Sequence, residues 1–192
     1  MLHFFPGSFD PVHKGHVQLV KYLLKERLAS SIAISATPSP PHKLHKQAPL
    51  HHRIHMLRLA FHPELADNSL CITTIERKLK PPHYTWFTLQ ALQKITDQEI
   101  SLVVGDDQYK DLYSWYEGRR LSANYRVVVF RRISENPVQL FEKHHMQVAN
   151  PFWKVASSEF RKMSIEQNSS TMLPENVFEY ILKKKLYHSS DT

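Results

Sequence analysis

Five short strand-like runs constrain the fold of this chain more than any other feature: Leu2–Phe5, Ile32–Ile34, Leu70–Ile72, Ile100–Val104 and Arg126–Phe130. Each is too short for a buried helix. Pro6-Gly7 and Gly105-Asp106-Asp107 end the first and the fourth with turn signals; these two and the fifth read as buried strands, 32–34 as a short strand and 70–72 as strand-like. Between them the period changes. Val17, Leu19, Val20, Leu23, Leu24 and Leu28 recur at helical spacing and predict a helix over 15–28. Helices are also expected over 50–61, where Ile54, Leu57, Leu59 and Ala60 form the apolar side, and over 85–95. Residues 112–116 read as a short aromatic helical piece and 145–156 as one or two short strands. A helix starts over 157–163, and a terminal helix runs over 174–184 with Pro174 in its first turn. Prolines at 38, 40, 41 and 49 make 37–49 a loop. Strands alternating with helices predict an α/β fold of Rossmann-like, doubly wound type, with a mainly parallel sheet and helices on both faces.

The 192 residues suit a single domain, and no repeat, low-complexity tract or linker divides them. Apolar content is ordinary at 42%, and no apolar run approaches the roughly 18–20 residues that span a bilayer, so no membrane partner is expected. The N-terminus lacks the basic and apolar regions of a signal peptide, and Cys71 is the sole cysteine, so the cytoplasm is the expected location. The net charge of +7 suits nucleic acid, anionic membranes or phosphorylated small molecules, and equally a protein that is merely basic. The basic residues are scattered and no nucleic-acid-binding motif occurs, so nucleic acid is not expected as a partner.

The segment from Gly7 through Ser8, Phe9 and Asp10 to His16 stands where the first strand hands over to the first helix. In a doubly wound sheet that crevice is the ligand site, and a helix N-terminus favours phosphate. Gly7 permits a tight turn and close approach of a phosphate. His13 and His16 are three apart and face the same way on a first turn. Two imidazoles there can hydrogen-bond a transferring phosphoryl group and, as cations, offset its charge. Such a pair also occurs as metal ligands or as surface residues.

Further candidates stand at the carboxyl ends of the expected strands. Lys43 follows Pro40-Pro41-His42 in the loop after the second strand, where it is either a point charge for phosphate or simply solvated. Thr85 opens a helix as a cap. A carboxylate of Gly105-Asp106-Asp107 can accept bonds from ribose or cap a helix. Trp115-Tyr116 is core or a stacking surface, and Arg131-Arg132 ends the fifth run, facing crevice or solvent. Ser158 and Arg161 at a helix start can clamp phosphate or belong to a plain capped helix.

The string Gly-Ser-Phe-Asp-Pro-Val-His-Lys-Gly-His over 7–16 resembles the signature of the HxGH nucleotidyltransferases. Pro-Pro-His-Lys over 40–43, Tyr84-Thr85, Gly105-x-Asp107, Trp115-Tyr116 and Ser158-x-x-Arg161 are similar, in order and spacing, to motifs of the bacterial nicotinate mononucleotide adenylyltransferases in that superfamily. The chain departs from the pattern at Pro6 (usually Gly), at Ala36-Thr37 (usually Pro-Asn), at His83 (usually Ser), at Ala156 (often Ser) and at Ser158 (usually Thr).

The resemblance implies an enzyme of NAD biosynthesis that moves AMP from ATP to nicotinate mononucleotide and releases pyrophosphate. Nicotinamide mononucleotide and pantetheine phosphate are the alternative acceptors. It implies His13, His16 and Lys43 as catalytic residues. It implies Gly7, Ser8, Phe9, His13, His16, Gly105, Asp107, Ser158 and Arg161 as the ATP site. Ser8, Lys43, Thr85, Trp115, Tyr116 and Arg131 would hold the mononucleotide. The C-terminal part, about 157–187, would carry the second phosphate motif. Mg²⁺ is expected as a cofactor carried on ATP, with no metal ligands of the protein itself, because no carboxylate cage is visible. A homo-oligomer is compatible with the resemblance.

Overall fold

The computed structural model describes residues 1–38, 47–132, 137–149, 157–162 and 171–187. Six strands are present among them: β1 Leu2–Gly7, β2 Ser31–Ala36, β3 Leu70–Ile72, β4 Ile100–Gly105, β5 Arg126–Phe130 and β6 Met146–Gln147. They form one sheet in the order β3-β2-β1-β4-β5-β6, and every pair is parallel. The expected α/β architecture is therefore present, and the order reverses between β1 and β4.

Eight α-helices accompany the sheet among the described residues: α1 Lys14–Lys25, α2 Leu50–Ala60, α3 His62–Ala66, α4 Thr85–Gln93, α5 Asp106–Lys110, α6 Gly118–Asn124, α7 Ser157–Lys162 and α8 Glu175–Lys184. The strands alternate their side chains between two apolar layers, as the period of two requires. Phe5, Ile32, Ile34, Val103 and Val128 pack against Leu19 and Leu23 of α1, Met56 and Leu57 of α2, and Val177 and Ile181 of α8. Their neighbours Phe4, Ala33, Leu102, Val127 and Val129 pack against Leu89 and Leu92 of α4, Tyr109 of α5 and Leu121 of α6. Helices thus cover both faces.

Among the differences from the expected elements, three stand out. β1 runs through Pro6 to Gly7 instead of stopping before them. Gly7 accepts from Thr37 N–H, so its main-chain groups face β2 and those of Pro6 face the β4 side. Pairing with β4 has already ended at Phe4, so the missing proline N–H leaves no ladder bond unmade. Helix α1 ends at Lys25 because Arg27 turns left-handed at φ 53° and Leu28 N–H bonds back to Leu23 O. Residues 112–116 are not one helical piece: a 3-10 turn covers Leu112–Ser114 and Trp115 is extended. Of the strands expected over 145–156, β6 lies at 146–147, and 150–156 lie outside the described residues.

His3 sits in β1 at 1% exposure, with neither ring nitrogen hydrogen-bonded among the described residues. Burial, then the N-terminal ammonium and Arg126, pull its pKa from 6.5 down to about 4. Over that window the unfolded chain binds a proton that the folded chain refuses. The stability that neutral His3 supports is therefore intact above about 6.5 and is lost as the pH falls towards about 4. Urea midpoints at about pH 7.5 and about pH 5 should differ less in His3→Leu than in the parent chain. An equal difference in both would show that His3 does not carry the effect.

Candidate active site

A cleft of about 250 Å³ opens at the carboxyl ends of β1, β4 and β5. This is the point where the strand order reverses, the ligand-binding position of doubly wound sheets. β1 and β4 pair only over Leu2–Phe4 and then part, which makes room between them.

The floor is built by the turn after β1. Phe9 adopts φ 45°, a left-handed conformation that costs a non-glycine residue about 1–2 kcal/mol. The turn swings the Phe9 ring back over Gly7, edge-on to Phe5 with centroids 5.4 Å apart, and 4.8 Å from the His16 ring. A Cβ on Gly7 would lie 2.9 Å from Phe9 Cζ, so this fold-back requires glycine.

His13 caps α1 and His16 occupies its first turn, where no acidic side chain competes with an anion for the helix end. The two rings stack with centroids 3.6 Å apart and planes at 22°. His13 N–H donates to His16 Nδ1 at 3.2 Å, so Nδ1 carries no proton and the ring N–H of His16 is on Nε2. His13 is 4% exposed, and neither of its ring nitrogens has a hydrogen-bond partner among the described residues. Burial first, and then the Arg132 charge, pull its pKa down to about 3. In the free site His13 is thus a neutral hydrogen-bonding group rather than the cation expected from sequence.

Trp115, Tyr116, His83, Tyr84 and Thr85 form the opposite wall. Tyr84 stacks on Tyr116 at 4.5 Å with planes 14° apart, and Tyr116 is 46% exposed. His83 Nδ1 is buried without a partner among the described residues. The cap position of α4 is Tyr84, and Thr85 is the first helical residue, which corrects the reading of Thr85 as the cap. Behind this wall, Glu76 is buried and accepts from Ser35 Oγ at 2.9 Å and from Thr88 Oγ1 at 3.1 Å. Burial pushes its pKa up against those bonds.

Residues 4–173 match the cytidylyltransferase-like family model. The chain belongs to the cytidylyltransferase-like family. Two relatives fit that placement. The Leptospira interrogans protein named probable nicotinate-nucleotide adenylyltransferase is 31% identical over 95% of this chain and 94% of its own length. A protein of the same name from Christiangramia forsetii is 29% identical over 95% and 96% of the two chains. Among solved structures, the fold is similar to that of Plasmodium falciparum nicotinic acid mononucleotide adenylyltransferase complexed with NaAD. The TM-score is 0.78 at 18% identity, covering 97% of this chain and 96% of that one.

In this member of the cytidylyltransferase-like family, nine of the residues singled out from sequence meet in the cleft: Gly7, Ser8, Phe9, His13, His16, Thr85, Trp115, Tyr116 and Arg131. Four do not line it. Gly105 ends β4 behind Asp107, whose Oδ2 accepts from Arg132 Nη1 at 2.8 Å. Asp106 Oδ1 accepts the main-chain N–H groups of Asp107 and Arg132, both at 3.0 Å, and so ties β4 to β5. Ser158 is exposed, and Ser157 is the hydroxyl at the cleft, donating to Pro11 O at 2.9 Å. Arg161 Nη1 bonds to Asp10 O and lies 3.6 Å from Asp10 Oδ2. Lys43 with Pro40-Pro41-His42, and Ala156, lie outside the described residues.

Thr37, His83, Gln108, Phe130 and Arg132 also line the cleft and were not among the assigned site residues. His83 and Arg132 are neighbours of assigned residues, so a signal for them existed. Gln108 carried none. Two of the three histidines on α2 are engaged with α8: His52 Nδ1 and Tyr180 OH share a hydrogen bond of 2.7 Å, and the His55 ring lies 4.4 Å from that of Tyr180.

Gly7→Ala forces Phe9 off His16. We expect stability to fall by about 1–3 kcal/mol through overpacking, with nucleotide affinity lost in the fraction that stays folded. Calorimetry of melting and of nucleotide binding reads both effects, and unchanged binding would show that the fold-back does not shape the floor.

Proposed function

We propose that this protein transfers AMP from ATP to nicotinate mononucleotide, giving nicotinate adenine dinucleotide and pyrophosphate. The observation that carries the reading is the stacked His13–His16 pair at the helix end, facing an aromatic wall across one cleft. The names of the relatives agree with it.

A phosphate oxygen of the mononucleotide attacks the α-phosphorus of ATP in line. The bond between that phosphorus and the bridging oxygen breaks, and pyrophosphate leaves with the electron pair. The attacking phosphate is already an anion, so no nucleophile or general base of the protein is needed. Positioning and charge stabilisation remain for the chain to supply. His13 and His16 donate to phosphate oxygens along the α1 end, with Gly7, Ser8 and Phe9 shaping the ATP side. Neutral His13 gains a proton more readily once a triphosphate replaces water beside it. Lys43 adds a point charge, and Gly105 with Asp107 lies on the ribose side. Trp115 stacks on the pyridine ring beside Tyr116, and Thr85 and Arg131 hold the acceptor.

The second motif joins the same unit, because Ser157 bonds to Pro11 O in the first. Ser158 and Arg161 reach the outer phosphates once Arg161 exchanges part of its contact with Asp10 for the nucleotide. Mg²⁺ carried on ATP would supply charge neutralisation of its phosphates, with no dedicated ligands from the chain proposed. Among the described residues no three histidine, cysteine or carboxylate side chains meet as an ion cage. Among them, too, no helix is long and apolar enough to cross a membrane. The free, exposed thiol of Cys71 suits the cytoplasm as the proposed place of action.

Pyrophosphate release should appear with ATP plus nicotinate mononucleotide, and more slowly with nicotinamide mononucleotide or pantetheine phosphate. Equal or faster turnover of another acceptor would reassign the substrate. His16→Ala should lower kcat about a hundredfold or more while the fold survives. An unchanged rate in the folded variant removes His16 from the chemistry.

A further inference from the structure

Arg53, on the first turn of α2, is 1% exposed and among the largest fully buried side chains. Each hydrogen bond recorded for its guanidinium goes to a main-chain carbonyl. Nε donates to Ala48 O at 2.9 Å, Nη1 to Ser8 O at 2.8 Å and to Thr37 O at 2.9 Å, and Nη2 to Pro38 O at 3.3 Å.

These bonds start where the sheet stops. The last registered pair between β1 and β2 is Gly7 with Ala36, followed by the bond from Thr37 N–H to Gly7 O at 2.9 Å. One residue further, the carbonyls of Ser8 and Thr37 converge on a single nitrogen, Nη1. Arg53 therefore supplies the next rung between two loops that the ladder no longer joins. Ser8 and Thr37 both line the cleft, so the rung lies directly behind its floor.

Packing alone does not call for an arginine here. Burying a guanidinium is costly, and an apolar side chain of similar volume would fill the space at less cost. Only a planar donor fork can take four carbonyls of three segments at once, which lysine cannot do. The opposite charges near it are Asp10, from the turn after β1, and Glu76, from the 3-10 turn after β3, and Tyr187 faces it from the C-terminal segment.

We propose that Arg53 is a positioning residue for the transfer, holding the Ser8–Phe9 turn against Thr37–Pro38 so that the spacing of the two rims is kept when both nucleotides are bound. This rests on the adenylyl-transfer reading above. Misplacing reacting atoms by about 1 Å costs on the order of a hundredfold in rate, so the loss falls on kcat and not on binding.

The test compares Arg53→Lys and Arg53→Gln with the parent chain, using ATP and nicotinate mononucleotide, at temperatures where circular dichroism shows each protein folded. We expect kcat to fall by about tenfold to a hundredfold, with KM for either nucleotide within about threefold of the parent. Three results would overturn the proposal: kcat within about twofold of the parent, a loss that merely tracks the unfolded fraction, or failure of both variants to fold. The last would place Arg53 in the fold and not in the site. Inactivity of the parent chain itself would instead sink the adenylyl-transfer reading.

Discussion

Everything at the carboxyl edge hangs on how Asp10 is held. Its side chain is fully buried three residues before His13, and it collects partners from distant parts of the chain. Ala48 N–H donates to Oδ1 at 3.1 Å, Tyr187 OH donates to the same oxygen at 2.7 Å, and Arg161 stands beside Oδ2. A buried carboxylate stripped of such partners costs several kcal/mol, so these contacts hold one another in place. Burial and the Asp10 charge raise the pKa of the Tyr187 phenol, which keeps it a donor. The turn that carries Phe9 and presents the histidines is thereby fixed from beneath by α2, by α7 and by the C-terminal end.

From that anchor the site follows in steps. The order reversal between β1 and β4 opens a crevice, the α1 end supplies positive potential, and Phe9 folds over Gly7 to place His16. The apolar layers on the two sheet faces hold the His13 ring buried, with neither of its nitrogens hydrogen-bonded among the described residues. That burial, with the Arg132 charge, keeps His13 neutral in the free protein.

Much of this was legible in the sequence. The apolar runs at 2–5, 32–34, 70–72, 100–104 and 126–130 are short, so they read as strands, and each is one, although 70–72 stands at the sheet edge with Cys71 exposed. The 7–16 segment carries its own geometry, because Gly7 and two histidines three apart stand at a strand-to-helix turn. Helices α3, α5 and α6 left no trace: five to seven residues are too few for a 3.6-residue period to show. A sequence displays residue types and hides their partners. Asp107 and Arg161 read as ligand groups, yet in the free protein they are bonded to Arg132 and Asp10. Arg53 lies in His-His-Arg-Ile-His, which reads as a solvated helix face, and only the fold turns it beneath the loops.

The most direct measurement is a crystal structure of the protein with a non-hydrolysable ATP analogue and Mg²⁺. This account places the α- and β-phosphates over the α1 end, within hydrogen-bond reach of His13 and His16, and the adenosine on the β4 side of the crevice. Phosphates bound elsewhere, or imidazoles facing away from them, would contradict it.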